Sequence, residues 1–289
     1  MPGFAANRPN STVRAITQAD SRAILRMVDT AWRVYLRLSP LELKDKLARV
    51  PGYLAEDYLG LRGFMIIEPQ PSQVAFLLAA GLRDTWHPKP YLQLLLPAVE
   101  AATKAHNLSK LVYIGNAAWL VQELKERGFR TQEWVVTLER SARETPPMPP
   151  ETVVRLRPVT AADLPSLSAL DALSFNEIWH YAIGDIADAL LKEGSFVLAE
   201  FDGRIVGYEW CEMYASHAHL SRLAVRPDYQ GRGIGAQLLH RAIADALSRN
   251  LDHITLNTQE NNLRSLALYR RFGFETTPER MPMLLKELS

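Results

Sequence analysis

Hydrophobic and polar positions along the chain fall into two successions of short strands and amphipathic helices. In the second half, VVRLRPVTAADLPSLSALDALSF (153–175) reads as a short strand and then a helix. FVLAE and RIVGYEW follow as apolar strands joined at Asp202-Gly203, a dipeptide that favours a tight hairpin. HLSRLAV (219–225) predicts a strand, AQLLHRAIADALSR a helix and HITLNT (253–258) another strand. NLRSLALYRRF (262–272) has helical spacing, and MPMLLKEL (281–288) predicts a closing strand.

The first half repeats that order. VRAITQADSRAIL (13–25) matches the opening of the second half, with Arg14 and Asp20 echoing Arg157 and Asp163. QVAFLLAAGL (73–82) predicts a strand, YLQLLLPAVEAATKA (91–105) a helix and KLVYI (110–114) a strand. AAWLVQELKERGF (117–129) predicts a helix and RTQEWVVTLE (130–139) a strand. Aligning ELKERGF with LYRRFGF sets Leu124 opposite Tyr269, an offset of 269 − 124 = 145. SARETPPMPPETV (141–153) breaks the chain between the halves, its four prolines favouring an extended linker. The expected organisation is one domain over 1–140, a linker over 141–152 and a second domain over 153–289.

Composition narrows the classes. The 289 residues are 47% hydrophobic and 22% charged, as in ordinary globular domains. A net charge of +1 gives no electrostatic case for nucleic acid or an anionic membrane. No apolar run reaches the ~18 residues of a membrane span. The N-terminus lacks the pattern of an export signal, so a cytoplasmic protein is expected. The single cysteine, Cys211, forms no internal disulfide and reads as a small buried hydrophobe.

The chemistry concentrates in RPDYQGRGIGAQLLHR (226–241), where Gly231, Gly233 and Gly235 precede a helix. Such a loop lets backbone N–H groups converge on an anion at a helix N-terminus. Gly231-x-Gly233-x-x-Ala236 fits a dinucleotide fingerprint literally, but RPDYQ separates it from the strand. Asn257 also stands where that fold needs an acid, so the dinucleotide reading is rejected. Gln230-x-x-Gly233-x-Gly235 instead resembles the acetyl-CoA signature of the GNAT superfamily of N-acetyltransferases. Asn262-x-x-Ser265-x-x-Leu268-Tyr269, ending in Gly273-Phe274, is similar to that family's second motif.

The resemblance covers 153–289 and implies an α/β fold of the α+β kind, a mixed and mostly antiparallel sheet flanked by helices. With the repeat, it implies two tandem GNAT-like domains. Acetyl-CoA is the implied cosubstrate, with no metal. Its pyrophosphate would rest on the backbone of Gln230, Gly231, Arg232, Gly233, Ile234, Gly235 and Ala236. Its pantetheine amides would pair along Leu223, Ala224 and Val225, with Asn262 and Ser265 from the second motif. In the first half Pro88 and Pro90 fall opposite Gly233 and Gly235 and remove two N–H donors, so that half is expected to be degenerate.

Acetyl transfer to an amine requires a base, a polarised carbonyl and a proton for the departing thiolate. The resemblance makes Tyr269 the acid and the Val225 N–H the carbonyl donor. Some relatives carry a glutamate where this chain has Asn257. Others place a glutamate or histidine at the position of His219, which alternation sets on one strand face with Ser221, Leu223 and Val225. His219 is the first candidate base, with Glu209 and Glu212 in reserve. Trp179, His180 and Tyr181 would wall the acceptor channel or pack in a helix. His217, His219 and Glu212 are too few and too close in sequence for a metal site. The expected activity is transfer of an acetyl group to a primary amine of a small molecule or peptide by direct attack in a ternary complex. The alternative is an inactive acyl-CoA-binding regulatory module. A homodimer is compatible with either.

Overall fold

The computed structural model describes residues 11–83, 87–147 and 154–288. The first half forms β1 (Thr12–Ala15), α1 (Ser21–Thr30), β2 (Arg33–Leu36), α2 (Pro40–Lys46), β3 (Gly52–Asp57) and β4 (Gly60–Pro69). It continues with β5 (Val74–Leu82), α3 (Pro88–Ala105), β6 (Lys110–Ile114), α4 (Ala118–Glu126) and β7 (Arg130–Ser141). The second half forms β8 (Arg155–Pro158), α5 (Leu164–Ser174), α6 (Ile183–Ala189), β9 (Gly194–Phe201) and β10 (Arg204–Met213). β11 (Ala218–Val225), α7 (Ile234–Ser248), β12 (His253–Gln259), α8 (Leu263–Arg271) and β13 (Glu275–Glu287) complete it. The bounds of α4 and α8 differ by the same 145 positions that align Leu124 with Tyr269. Part of the proline-rich linker (148–153) and the N-terminal stretch read for an export signal lie outside the described residues.

Contacts divide the chain into two units, which are not the two sequence halves. One contains the described residues up to Glu133 together with those from Met281 onward; the other is Trp134–Arg280. In the first unit the sheet runs β1-β3-β4-β5-β6, and Met283–Glu287 of β13 adds antiparallel to β6. In the second it runs β8-β9-β10-β11-β12, and Val135–Ser141 of β7 adds antiparallel to β12. Each unit therefore closes its sheet with the last strand of the other half, where the sequence reading had kept each strand at home. Apolar helix faces pack both sides of each sheet. Tyr91, Leu95, Leu120 and Leu124 cover one face of the first sheet, and Ile24 and Leu43 the other. Leu239, Ile243, Leu266 and Phe272 cover one face of the second, and Leu167, Leu170 and Ile186 the other.

The Asp202-Gly203 turn forms as its sequence requires, with both residues at positive φ (48° and 72°). β2, α2, β3, β4 and α6 are additional to the expected elements. β3 and β4 join through Gly60 at φ 90°, a turn with a weaker dipeptide signal.

The repeat extends to a pair of ion triads. Arg157 grips Asp163 with two bonds (2.8 and 2.7 Å) and reaches Glu200 at 2.9 Å, tying β8 to β9. Arg14 grips Asp20 at the same two distances and Glu56 at 2.8 Å, tying β1 to β3. The Arg hydrogen bond holds each aspartate well below the usual carboxylate range, aided by Thr160 or Thr17. A depressed folded-state pKa contributes stability above the ordinary value near ~4 and loses it as pH falls further. Asp163→Asn is therefore expected to lower unfolding free energy at pH 7 by about 2 kcal/mol, the scale of a charged hydrogen bond, and to flatten the acid limb of a stability–pH curve. Urea titrations between pH 7 and 3 measure both.

Candidate active site

The geometry of the site begins with an irregularity in β11. Across the antiparallel pair, Trp210 faces Arg222 and Cys211 faces Leu220, so Ser221 is an unmatched bulge residue. On the other side β11 pairs in parallel with β12 only over Ala218–Leu220, opposite Ile254–Leu256. Both strands then continue, to Val225 and Gln259, without bonding each other. They splay. The Arg226 N–H bonds Val206 O in β10 at 2.9 Å, so alternation turns the N–H groups of Leu223 and Val225 to the splayed side. Gln230 bridges that edge, donating from Nε2 to Val225 O at 2.9 Å and accepting from Arg264.

The glycine loop lies at the end of the same strand. Gly231 and Gly233 sit at φ 83° and 81°, which glycine adopts without a Cβ penalty, and Gly233 caps α7. Among the described residues, no hydrogen bond engages the N–H groups of Gly231, Arg232, Gly233, Ile234 or Gly235. Successive amides at the positive end of a 15-residue helix suit a diphosphate. Asn262 caps α8, its side chain accepting from the Ser265 N–H at 3.3 Å, so these two residues of the second motif shape that helix start. In the first unit α3 opens with Pro88 and Pro90 in its first turn, where two of these donors are missing.

The bulge corrects the strand-face assignment. Glu212 pairs with His219 and Trp210 with Arg222, so His219 shares a face with Arg222 and Ala224. Leu223 and Val225 lie on the opposite face, packed toward Ile234 and Leu238 of α7. His219 Nδ1 is 2.8 Å from Thr255 Oγ1, whose hydroxyl donates to Ala218 O at 3.4 Å. With the Thr255 proton given to Ala218 O, Thr255 Oγ1 is the acceptor for an Nδ1–H, the tautomer in which Nε2 carries the lone pair. Burial lowers the His219 pKa from its ordinary value, against the pull of Glu212, so the neutral imidazole dominates at pH 7. Tyr269 is buried in the α7–α8 core beside Phe274, and burial pushes its pKa up to about 12, keeping the phenol protonated.

The reserve bases separate. Glu212 stands beside His219 but is fully engaged, accepting from Ser221 (2.9 Å), Tyr214 (2.8 Å) and Lys192 (3.2 Å). Asn257 is tied to Thr137 at 2.9 Å. Glu209 pairs with Leu223 and so points to the α7 face, away from His219. There the Ser195 hydroxyl lies between Glu209 Oε1 (2.6 Å) and Asp245 Oδ2 (2.8 Å). Complete burial pushes the Glu209 carboxyl well above its usual range. Glu209 is thus a core carboxyl, and its assignment as a base is corrected.

One buried network escaped sequence reading. Arg222 donates from Nε to Asp171 of α5 at 2.7 Å and pairs with its second oxygen. It also donates to Trp179 O at 2.7 Å, and its guanidinium lies 3.5 Å from the Phe175 ring and 4.1 Å from Tyr181. Tyr208 and the Tyr181 N–H donate to the same Asp171. Residues 175–182 therefore form a turn, not a helix, strapped over the His219 face, with Tyr181 edge-on to Trp210 at 6.2 Å. His180 contributes its N–H to Asn176 O, within that turn. Cys211 is buried. Among the described residues no cluster of three metal-ligating side chains forms, and no helix is long and apolar enough to cross a membrane.

Several known proteins are similar to this chain. The Acetyltransferase (GNAT) family pattern matches residues 164–274, from α5 through the second motif. An L-methionine sulfoximine/L-methionine sulfone acetyltransferase of Pseudomonas paraeruginosa is 30% identical over 145 residues, covering 45% of this chain and 84% of that protein. A mycothiol acetyltransferase of Clavibacter sepedonicus is 33% identical over 129 residues, 42% of each chain. The chain spans about half the length of the mycothiol acetyltransferases it matches. Among solved structures, a tandem GNAT protein from the clavulanic acid biosynthesis pathway superposes with a TM-score of 0.69 at 13% identity, covering 97% of this chain and 99% of that one. A GCN5-related N-acetyltransferase from Sphaerobacter thermophilus gives 0.69 at 16% identity, covering 96% of both chains. The chain belongs to the GNAT family of acetyltransferases, with the fold used twice.

Gly233→Val places a β-branched side chain at φ 81° and beside the free amides. It is expected to weaken acetyl-CoA binding at least tenfold by calorimetry, at a stability cost of about 1–2 kcal/mol. Unchanged affinity would remove the loop from the binding site.

Proposed function

We propose that Trp134–Arg280 carries an N-acetyltransferase centre that moves the acetyl group of acetyl-CoA to a primary amine in a ternary complex. The observation that carries the reading is the β11–β12 splay, running from the five unbonded loop amides down to His219. Acetyl-CoA fits those groups: the amides of Gly231–Gly235 for its diphosphate, and the edge N–H groups of Leu223 and Val225 for its amides and thioester oxygen. Bound there, it supplies an activated acyl carbon; the amine nitrogen bonds to that carbon as the carbon–sulfur bond breaks.

The residues then have distinct tasks. His219 Nε2 takes the proton from the amine, and the Thr255 bond to Nδ1 keeps the imidazole in the accepting tautomer. Tyr269, its phenolic hydroxyl protonated and with no hydrogen bond among the described residues, returns a proton to the thiolate sulfur. The Leu223 N–H, the edge donor nearer His219, stabilises charge on the carbonyl oxygen; Val225, ~20 Å of strand from His219, is left to the amides nearer the diphosphate. The strap 175–182, fixed by Arg222 and Asp171, bounds the acceptor side with Tyr181 and Trp210. Acceptors are small-molecule or peptide amines. Methionine sulfoximine and methionine sulfone, from the name of the Pseudomonas relative, lead the panel to test.

Acetyl-CoA-dependent thiol release, with N-acetyl products identified by mass spectrometry, tests the reading across that panel. The absence of release with every amine in the panel, combined with tight acetyl-CoA binding, would favour a regulatory acyl-CoA-binding module instead. Tyr269→Phe is expected to lower kcat by about 10²-fold with acetyl-CoA affinity within twofold of the parent. In the parent, kcat/KM is expected to fall only as pH drops below ~6.5, because the depressed His219 pKa preserves the free base to that point. His219→Gln should abolish that acid limb and cost about 10²-fold or more; an unmoved pH profile would assign the base elsewhere.

A further inference from the structure

The two units repeat one another down to their irregularities, so their differences carry information. β5 has its unmatched residue at Leu78, where β11 has Ser221. β5 pairs in parallel with β6 only over Val74–Phe76, as β11 does with β12 over Ala218–Leu220. Beyond that point the units part. In the first, β2 lies along the diverging edge, with Arg33, Val34, Tyr35 and Leu36 opposite Leu82, Gly81, Ala80 and Ala79. The Arg37 N–H extends the ladder to Leu78 O at 2.9 Å. Counting from the two bulges, Ala79–Leu82 correspond to Arg222–Val225, the edge assigned above to the acyl donor.

The side chains complete the closure. The Tyr35 hydroxyl lies 2.8 Å from Ile114 O on β6 and 3.2 Å from Leu77 O on β5, bridging both lips of the splay. Its buried ring packs on Tyr113 with centroids 4.6 Å apart. Gly115 makes the room: a Cβ there would stand 2.7 Å from the Tyr35 ring. Pro88 and Pro90 remove the amides at the far end of the same cleft.

We propose that β2 is a built-in occupant of the N-terminal unit's acyl-donor cleft, taking the strand-edge hydrogen bonds that acetyl-CoA takes in the C-terminal unit. The chain then binds one acyl-CoA, and its N-terminal unit is complete without ligand. This rests on the reading of the β11–β12 splay as the acyl-CoA site.

Hydrogen–deuterium exchange of the full chain, free and with saturating acetyl-CoA, tests it. The amides facing between β2 and β5 should exchange at least 10²-fold more slowly than unstructured ones in the free protein and change less than twofold on adding acetyl-CoA. Those of Leu223, Val225 and Gly231–Gly235 should slow at least tenfold on the same addition. Fast exchange at Ala79–Leu82 that acetyl-CoA suppresses, or a calorimetric stoichiometry of two, would overturn the inference while leaving the C-terminal site intact. Acetyl-CoA that alters neither unit would remove the C-terminal reading, and β2's standing as its substitute with it. In Tyr35→Phe, which keeps the ring, exchange along β2 and β5 should accelerate more than threefold with stoichiometry still one. Unaltered exchange in that variant would overturn the bridging role of the hydroxyl.

Discussion

Two parallel strands that part within a fold expose facing rows of backbone donors and acceptors, and partners for those rows must come from somewhere. Nearly everything distinctive in this chain follows from that constraint, imposed twice. β5 and β6 part after Phe76 and Val112; β11 and β12 part after Leu220 and Leu256. In the first instance the chain satisfies the edge itself with β2. In the second, the edge lies at the foot of a helix whose leading amides are unbonded. One edge is filled from within the chain; the other, on the function proposed above, receives the acyl donor.

The bulge at Ser221 decides which side chains meet at that site. Without it, His219 would face α7 with Leu223 and Val225. With it, His219 turns toward Thr255, Glu212 and the strap that Arg222 anchors. A buried arginine is costly unless its charge is compensated; Asp171 and Trp179 O accept its hydrogen bonds, and the faces of Phe175 and Tyr181 cover its guanidinium. Breaking that network by removing one partner would strand the other charge in a closed interior. The strap's position is therefore coupled to the integrity of the core.

Much of this was legible in the sequence. The glycine loop, the Asp202-Gly203 hairpin and the repeat all rest on local rules, and they appear where those rules put them. Pro88 and Pro90 could be set opposite Gly233 and Gly235 because proline's missing N–H acts through one residue alone, although the helix expected from Tyr91 begins at Pro88. Other features depend on partners far along the chain. Period-two alternation has no means of sensing an unmatched residue, so it sets His219 on the face of Leu223 and Val225, which is in fact the face of Glu209. Arg222 carries no motif; its meaning comes from Asp171, 51 positions earlier. RVYL is too short to predict as a strand, and nothing local says that it fills a cleft. The exchange of β7 and β13 is equally silent, since a strand's pattern does not name its neighbour.

That exchange has a consequence for how such a chain can be divided. The proline-rich stretch between the halves looks like a natural place to cut, but neither product would own a full sheet. The piece ending there would lose Met283–Glu287 from the edge of β6, and the piece starting there would lose Val135–Ser141 from the edge of β12. Each would carry a long bare edge with a strand of its own left over, a combination that invites pairing between molecules. The two copies of the fold are thus indivisible: a duplication whose halves have traded closing strands can diverge in sequence and role, but not part.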